Sequence, residues 1–135
     1  MSVAESGAGV VEVRISAQPA LIPTVRAVAS DLAGRADFDL DAISDLRMAV
    51  DEACTTLIGL APKSGMLSCR FEISLDRIEV TVSAAPEQAD ASVSTESFGW
   101  RVLETLADEV RTQRGLDGDP SALAIHLIKH AGATP

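Results

Sequence analysis

The sequence predicts a two-layer α+β sandwich in which helices cover one face of a mostly antiparallel sheet. Two observations carry that expectation. The periodic segments follow the order β α α β β loop α β β, with hairpin-like joins between most strands and the helices grouped between them. Aromatic residues make up only 3% of the chain, so the core has to be a layer of Leu, Val, Ile and Ala side chains between flat surfaces. At 135 residues the chain has room for one such core.

Residues 1–9 are small and polar and are expected to lie outside the domain as a frayed, flexible start; residues 131–135 are expected to be a flexible end. The domain itself is expected over 10–130. From Val10 to Ser16, Val11, Val13 and Ile15 alternate with Glu12, Arg14 and Ser16, the period of a half-buried strand. Pro19 opens a helix through about Ala33, with Gly34 as its stop. Pro23 still falls in the first turn, where a missing N–H costs little. Leu21, Val25, Val28 and Leu32 form its apolar face, leaving Arg26 and Asp31 outward.

The best-defined element is the next helix, Asp41 to Leu60, capped by Asp39 or Asp41 and ended by Pro62. Ile43, Leu46, Val50, Ala53, Leu57 and Leu60 give one apolar stripe. Asp45, Ala49, Glu52 and Thr56 form a second stripe on its flank, where a carboxylate can stand in a half-buried groove.

Met66–Leu75 and Arg77–Ala84 read as two strands turning at Asp76. Residues 85–96 (APEQADASVSTE) have no periodicity and read as a polar loop, long enough to ask for a function. Phe98–Ala107 reads as a short helix capped by Ser97. Glu109–Gln113 and Ala122–Ile128 read as strands joined by the turn-rich GLDGDPS.

A net charge of −9 repels nucleic acids and anionic membranes and favours basic protein surfaces as partners. The lack of Tyr and the single Trp100 also argue against a base-stacking platform. No apolar run approaches the roughly 18 residues of a membrane span. The N-terminus lacks the basic start and apolar run of a signal peptide, so a cytoplasmic protein is expected. Cys54 and Cys69 have no metal-ligand spacing and read as inert buried thiols. His126, in an expected edge strand, and His130 lack a third ligand nearby. Arg111, Arg114 and Lys129 read as scattered surface charges.

Residues 45–58, DLRMAVDEACTTLI, resemble the first motif of the histidine-kinase-like ATPase superfamily, whose fold is the Bergerat type of α/β sandwich. They are most similar to the anti-sigma-factor branch, the RsbW and SpoIIAB family, where the pattern is approximately AVSEAVTNAI. Residues 97–110, SFGWRVLETLADEV, resemble that family's GMGFxIxxxxxDEV segment. The resemblance runs from Val10 to about Ile128 and is closest to the actinobacterial version.

The resemblance implies that Glu52 stands where the family has its general base, beside the terminal phosphate of ATP. Thr55 matches a family Thr, and Thr56 replaces the Asn that holds Mg²⁺, an ion strict about its octahedral ligands. The family's DxGxG motif falls at Ser83-Ala84-Ala85-Pro86-Glu87, with Ser83 at the place of the Asp that meets adenine. Replacing a charge-assisted hydrogen bond with a neutral one costs about 1.5–3 kcal/mol. In the third motif Gly99 is kept, Ser97 replaces a Gly, and the loop before it has no glycine to form a phosphate cradle.

The resemblance thus implies an anti-sigma factor with no cofactor or weak Mg-ATP or ADP binding. Its partners would be an alternative sigma factor, a releasing anti-anti-sigma protein of the STAS class, and a second copy of itself. Two alternatives stand beside it. One is an active serine/threonine kinase that phosphorylates its STAS antagonist. The other is an adaptor that only reuses the fold.

Overall fold

A computed structural model describes residues 2–5, 9–116 and 118–132, with backbone alone for 2–5. The strands are β1 (Ser2–Glu5), β2 (Val10–Ser16), β3 (Met66–Ile73), β4 (Arg77–Ala84), β5 (Glu109–Leu116) and β6 (Asp119–His130). The helices are α1 (Ile22–Arg35), α2 (Leu40–Ile58) and α3 (Phe98–Leu106), with a 3-10 turn at Pro19–Leu21 before α1. All strand pairs are antiparallel, in the order β1-β2-β3-β4-β6-β5. The predicted sandwich is present.

Alternation along each strand builds the core. Val13, Cys69, Val82 and Ile125 stand in one cross-strand row. Val11, Phe71, Val80 and Leu127 form the row beside it, and all eight side chains are buried. Against this surface α1 sets Ile22, Val25, Ala29 and Ala33, and α2 sets Leu46, Val50, Ala53 and Leu57. Small residues at helix contacts let the backbones sit close to a sheet that has few aromatic side chains. The other face carries Glu12, Arg14, Ser68, Arg70, Thr81, Ser83 and His126, which line a shallow cavity of about 750 Å³.

Several expectations change. Ser2–Glu5 pairs with β2 instead of fraying, because the outer edge of β2 offers unpaired N–H and C=O groups that backbone alone can satisfy. Residues 6–8 and 133–135 lie outside the described residues. The first helix does not stop at Gly34. It runs to Arg35, Asp37 takes the left-handed conformation at φ 60°, and the Phe38 N–H closes on the Ala33 carbonyl at 3.1 Å. Buried Phe38 completes this Schellman-type end. The buried face of that helix is also rotated: Val28 and Leu32 only flank the core, while Ala29 and Ala33 enter it. The last two strands are longer than expected, and β6 is not an edge. Its Ala122–Ile128 run is buried on both faces, apart from half-buried His126, whereas β5 is charged and takes the edge.

Candidate functional site

The site helix α2 starts where Asp39 accepts a hydrogen bond from the Ala42 N–H at 2.7 Å. That cap satisfies one of the free donors at a helix start. From this origin the helical repeat puts Asp45, Glu52 and Thr56 half-buried along one flank, with Ala49 fully buried among them. The second stripe expected from the sequence is therefore real.

Each position on that flank has a distinct environment. Asp45 receives the Lys129 ammonium at 3.2 Å, and Asp108 approaches the same nitrogen at 3.9 Å. Asp51, one residue before Glu52, pairs with Arg26 of α1 at 3.3 Å. Both partners of that pair are about two-fifths exposed, so it contributes little to stability. Glu52 lies against α3: a Cβ built on Gly99 would be 3.2 Å from Oε1 and 3.4 Å from Oε2. Any larger residue at 99 would press on the carboxylate.

The two threonines diverge. Thr55 is exposed, and its hydroxyl donates to the Asp51 carbonyl at 2.9 Å, one turn back on the same helix. Thr56 is half-buried on the flank shared with Glu52. Gly99, Glu52 and Thr56 are thus gathered on one side of α2, and Thr55 turns away from them.

Ser83 is not brought to this site. Its cross-strand neighbours are Ser68 and Ala124, and it lines the cavity on the open face of the sheet. Period two along Ile78, Val80 and Val82 puts Ala84 on the helix side instead, buried between Leu67 and Leu123. A slip of one residue in a strand changes the face, so Ser83 stands on the side of the sheet away from α2.

The segment from 85 to 97 closes this end of the domain. The Glu87 N–H donates to the Leu60 carbonyl at 2.8 Å, just past the end of α2. From β5, the Arg114 guanidinium donates to the Ala89 carbonyl at 3.4 Å and to the Ala91 carbonyl. Ser97 caps α3 by accepting from the Trp100 N–H at 3.1 Å, which lets Trp100 and Leu103 enter the core.

Arg114 and Lys129, read from the sequence as scattered surface charges, hold structure at this site and at the helix start. The same alternation locates Arg114: it pairs with Leu123 and falls in the row of Ala84, Leu67 and Ile15 on the helix side. Among the described residues, no group of three or more His, Cys, Asp or Glu is arranged to hold a metal ion. No described helix is long and apolar enough to cross a membrane.

Residues 15–124 match the family model described as histidine kinase-like ATPase domain. The chain is 36% identical over 108 residues to the anti-sigma-F factor RsbW of Mycobacterium tuberculosis, covering 80% of this chain and 64% of that protein. It is 32% identical over 129 residues to the serine-protein kinase RsbW of Bacillus subtilis, covering 81% of each. A crystal structure of the RsbU and RsbW domains of a Mycobacterium tuberculosis protein aligns with a TM-score of 0.65 at 18% identity, over 90% of this chain and 33% of that one. The chain spans about two thirds of the length of the mycobacterial relative and a third of that crystallised chain. The match over 15–124 and the identity with the RsbW proteins place this chain in the histidine kinase-like ATPase family, on its RsbW branch.

Proposed function

We propose that this domain is a cytoplasmic anti-sigma factor that sequesters an alternative sigma subunit by protein binding and is released by a competing STAS-class protein. The relation to a protein named anti-sigma-F factor RsbW supports the partner class. The net charge of −9 suits a basic partner surface.

The chemistry of the α2 flank supports binding over catalysis, and the observation that carries this is Ala84. It occupies the inward position at the end of β4 in place of the outward-facing Ser83, and its methyl group offers a nucleotide no acceptor. Thr56 has a shorter reach than the Asn that a Mg²⁺ ion would require. The 85–97 segment has no glycine whose backbone could wrap phosphates. These residues fit Mg-ATP poorly.

The second reading is an ATP-dependent kinase acting on a Ser or Thr of the STAS antagonist. It is favoured by Glu52, a carboxylate on a rigid helix, and by the Bacillus subtilis relative's name. We further propose a homodimer formed through the Val10–Ser16 strand and the sheet face.

Two measurements separate these readings. Co-purification with the sigma factor, together with undetectable Mg-ATP binding and no transfer from labelled ATP, is the expected result. Micromolar Mg-ATP affinity with transfer that Glu52→Ala abolishes would establish the kinase. Failure to capture any sigma factor would remove the anti-sigma assignment.

A further inference from the structure

The sequence reads Cys54 on α2 and Cys69 on β3 as inert buried thiols. In the structure their Sγ atoms are 3.8 Å apart, in contact across the helix–sheet interface. Both are free, and both are buried, at 0% and 1% exposure. Cys69 stands in the central row with Val13 and Val82, and Cys54 lies between Glu52 and Thr56 on the site helix.

We propose that Cys54 and Cys69 are a modification site: hydrogen peroxide converts them to an intramolecular disulfide that clasps the site helix to the sheet. A disulfide needs an S–S distance of about 2.05 Å, so the sulfurs have to approach by roughly 1.8 Å from their present 3.8 Å. Swinging the two side chains about their Cα–Cβ bonds, with a small closure of α2 on β3, supplies movement of that size.

The chemistry balances with the peroxide alone. During a local opening one thiol loses its proton, and its sulfur attacks the peroxide. An S–O bond forms, the O–O bond breaks, and the second oxygen leaves as hydroxide, which takes up the proton released by the thiol to become water. The neighbouring sulfur then attacks this sulfenic acid. The S–S bond forms, the S–O bond breaks, and the departing hydroxide takes the second thiol's proton. Two thiols are oxidised by two electrons, and one peroxide becomes two waters.

The same surroundings make the reaction slow. The hydrogen bond with Cys69 pushes the Cys54 thiol well above its ordinary pKa, and burial and the nearby Asp51 carboxylate add to this. Thiolate, the attacking species, is therefore scarce in the closed protein. Brief exposure leaves the pair reduced, and sustained oxidant traps it. Reduction back to thiols needs the same opening, so the clasp persists once made. Because it closes the loop from 54 to 69, it constrains the C-terminal half of α2 and the connection to β3.

The test uses the full chain treated with hydrogen peroxide, quenched, unfolded and alkylated. The expected result is loss of both alkylatable thiols with a mass decrease of about 2 Da, a linked Cys54–Cys69 peptide pair, and full reversal by dithiothreitol. Tm rises by something on the order of 5–10 °C. Amide exchange over 51–58 slows in the oxidised form. Cys54→Ser and Cys69→Ser each remove the mass change and the Tm shift. Cys69→Ala repeats the test should a buried hydroxyl weaken the core. The proposal is overturned if both thiols stay alkylatable after hours in peroxide. It is equally overturned by sulfinic acid at about +32 Da, by a disulfide between chains, or by an internal disulfide that lowers Tm and speeds exchange in α2.

Discussion

A methyl group on Gly99 would sit 3.2 Å from Oε1 of Glu52, so the first turn of α3 and the acid of α2 are fitted to each other. Helix propensity alone favours Ala over Gly at such a position by about 1 kcal/mol. Contact with the carboxylate opposes that gain, and Glu52 has to shift before it is realised. Gly99→Ala is therefore expected to stabilise the Glu52→Ala protein more than the parent, by about 0.5–1 kcal/mol in a double-mutant cycle followed by urea unfolding. Additive effects would mean that the two residues do not constrain one another.

Lys129 is only 14% exposed and faces two carboxylates, Asp45 at the start of α2 and Asp108 before β5. Lys129→Ala leaves both acids without their cation and empties the space its stem fills. A loss of about 1–3 kcal/mol in unfolding free energy is expected. Lys129→Met, which keeps the stem, should recover part of it. Equal losses for the two variants would assign the whole effect to charge.

Much of this frame was legible in the sequence, because local physics decides it. Of the two caps the sequence offers for α2 the structure uses Asp39, Ser97 caps α3, and the β3–β4 hairpin turns where the apolar alternation pauses. What escaped depends on distant pairing. Nothing in Ser2–Glu5 signals a strand until the free edge of β2 is there to bind it. The contact between Cys54 and Cys69 requires knowing which part of β3 lies under α2. Ser83 faces the open side of the sheet, as the alternation of Val80, Val82 and Ala84 on the helix side requires.

His126 lies half-buried on the open sheet face. Burial and then the Arg111 charge hold its pKa below the ordinary value, against the weaker opposing pull of Glu79, Glu72 and Glu109. Below its ordinary value of about 6.5 the unfolded chain takes up a proton that the folded chain resists, so this group weakens the fold as pH falls. Above that value its contribution is flat. His126→Gln is expected to reduce the stability loss between neutral and mildly acidic pH, and Arg111→Ala to raise the His126 midpoint in an NMR titration. An Arg111→Ala midpoint that stays put or falls would contradict this account.

Arg114 ties β5 to the 85–97 segment through the carbonyls of Ala89 and Ala91. The contacts are exposed, so Arg114→Ala should change global stability by no more than about 1 kcal/mol. Its effect belongs to local opening: amide exchange and proteolytic cleavage within 85–97 are expected to quicken several-fold while the core is unaffected. Unchanged exchange in that segment would show that the Glu87 to Leu60 hydrogen bond suffices to hold it.

The two faces of β4 make separable predictions about nucleotide. If the inward end of the strand is where adenine would need an acceptor, Ala84→Asp supplies a charged one, and Ser83→Asp puts the same group on the opposite face. A charge-assisted hydrogen bond contributes about 1.5–3 kcal/mol, or roughly ten- to a hundredfold in affinity. Ala84→Asp combined with Thr56→Asn is expected to bring Mg-ATP binding into the range of calorimetry, with Ser83→Asp and Thr56→Asn giving no gain. Ala84 is buried between Leu67 and Leu123, so the new carboxylate lowers Tm in the absence of nucleotide. Nucleotide should then restore part of that Tm in the Ala84→Asp protein alone, because a ligand that binds only the folded state stabilises it. The reverse pattern, with Ser83→Asp the better binder, would return the adenine contact to the open face of the sheet and separate it from Glu52.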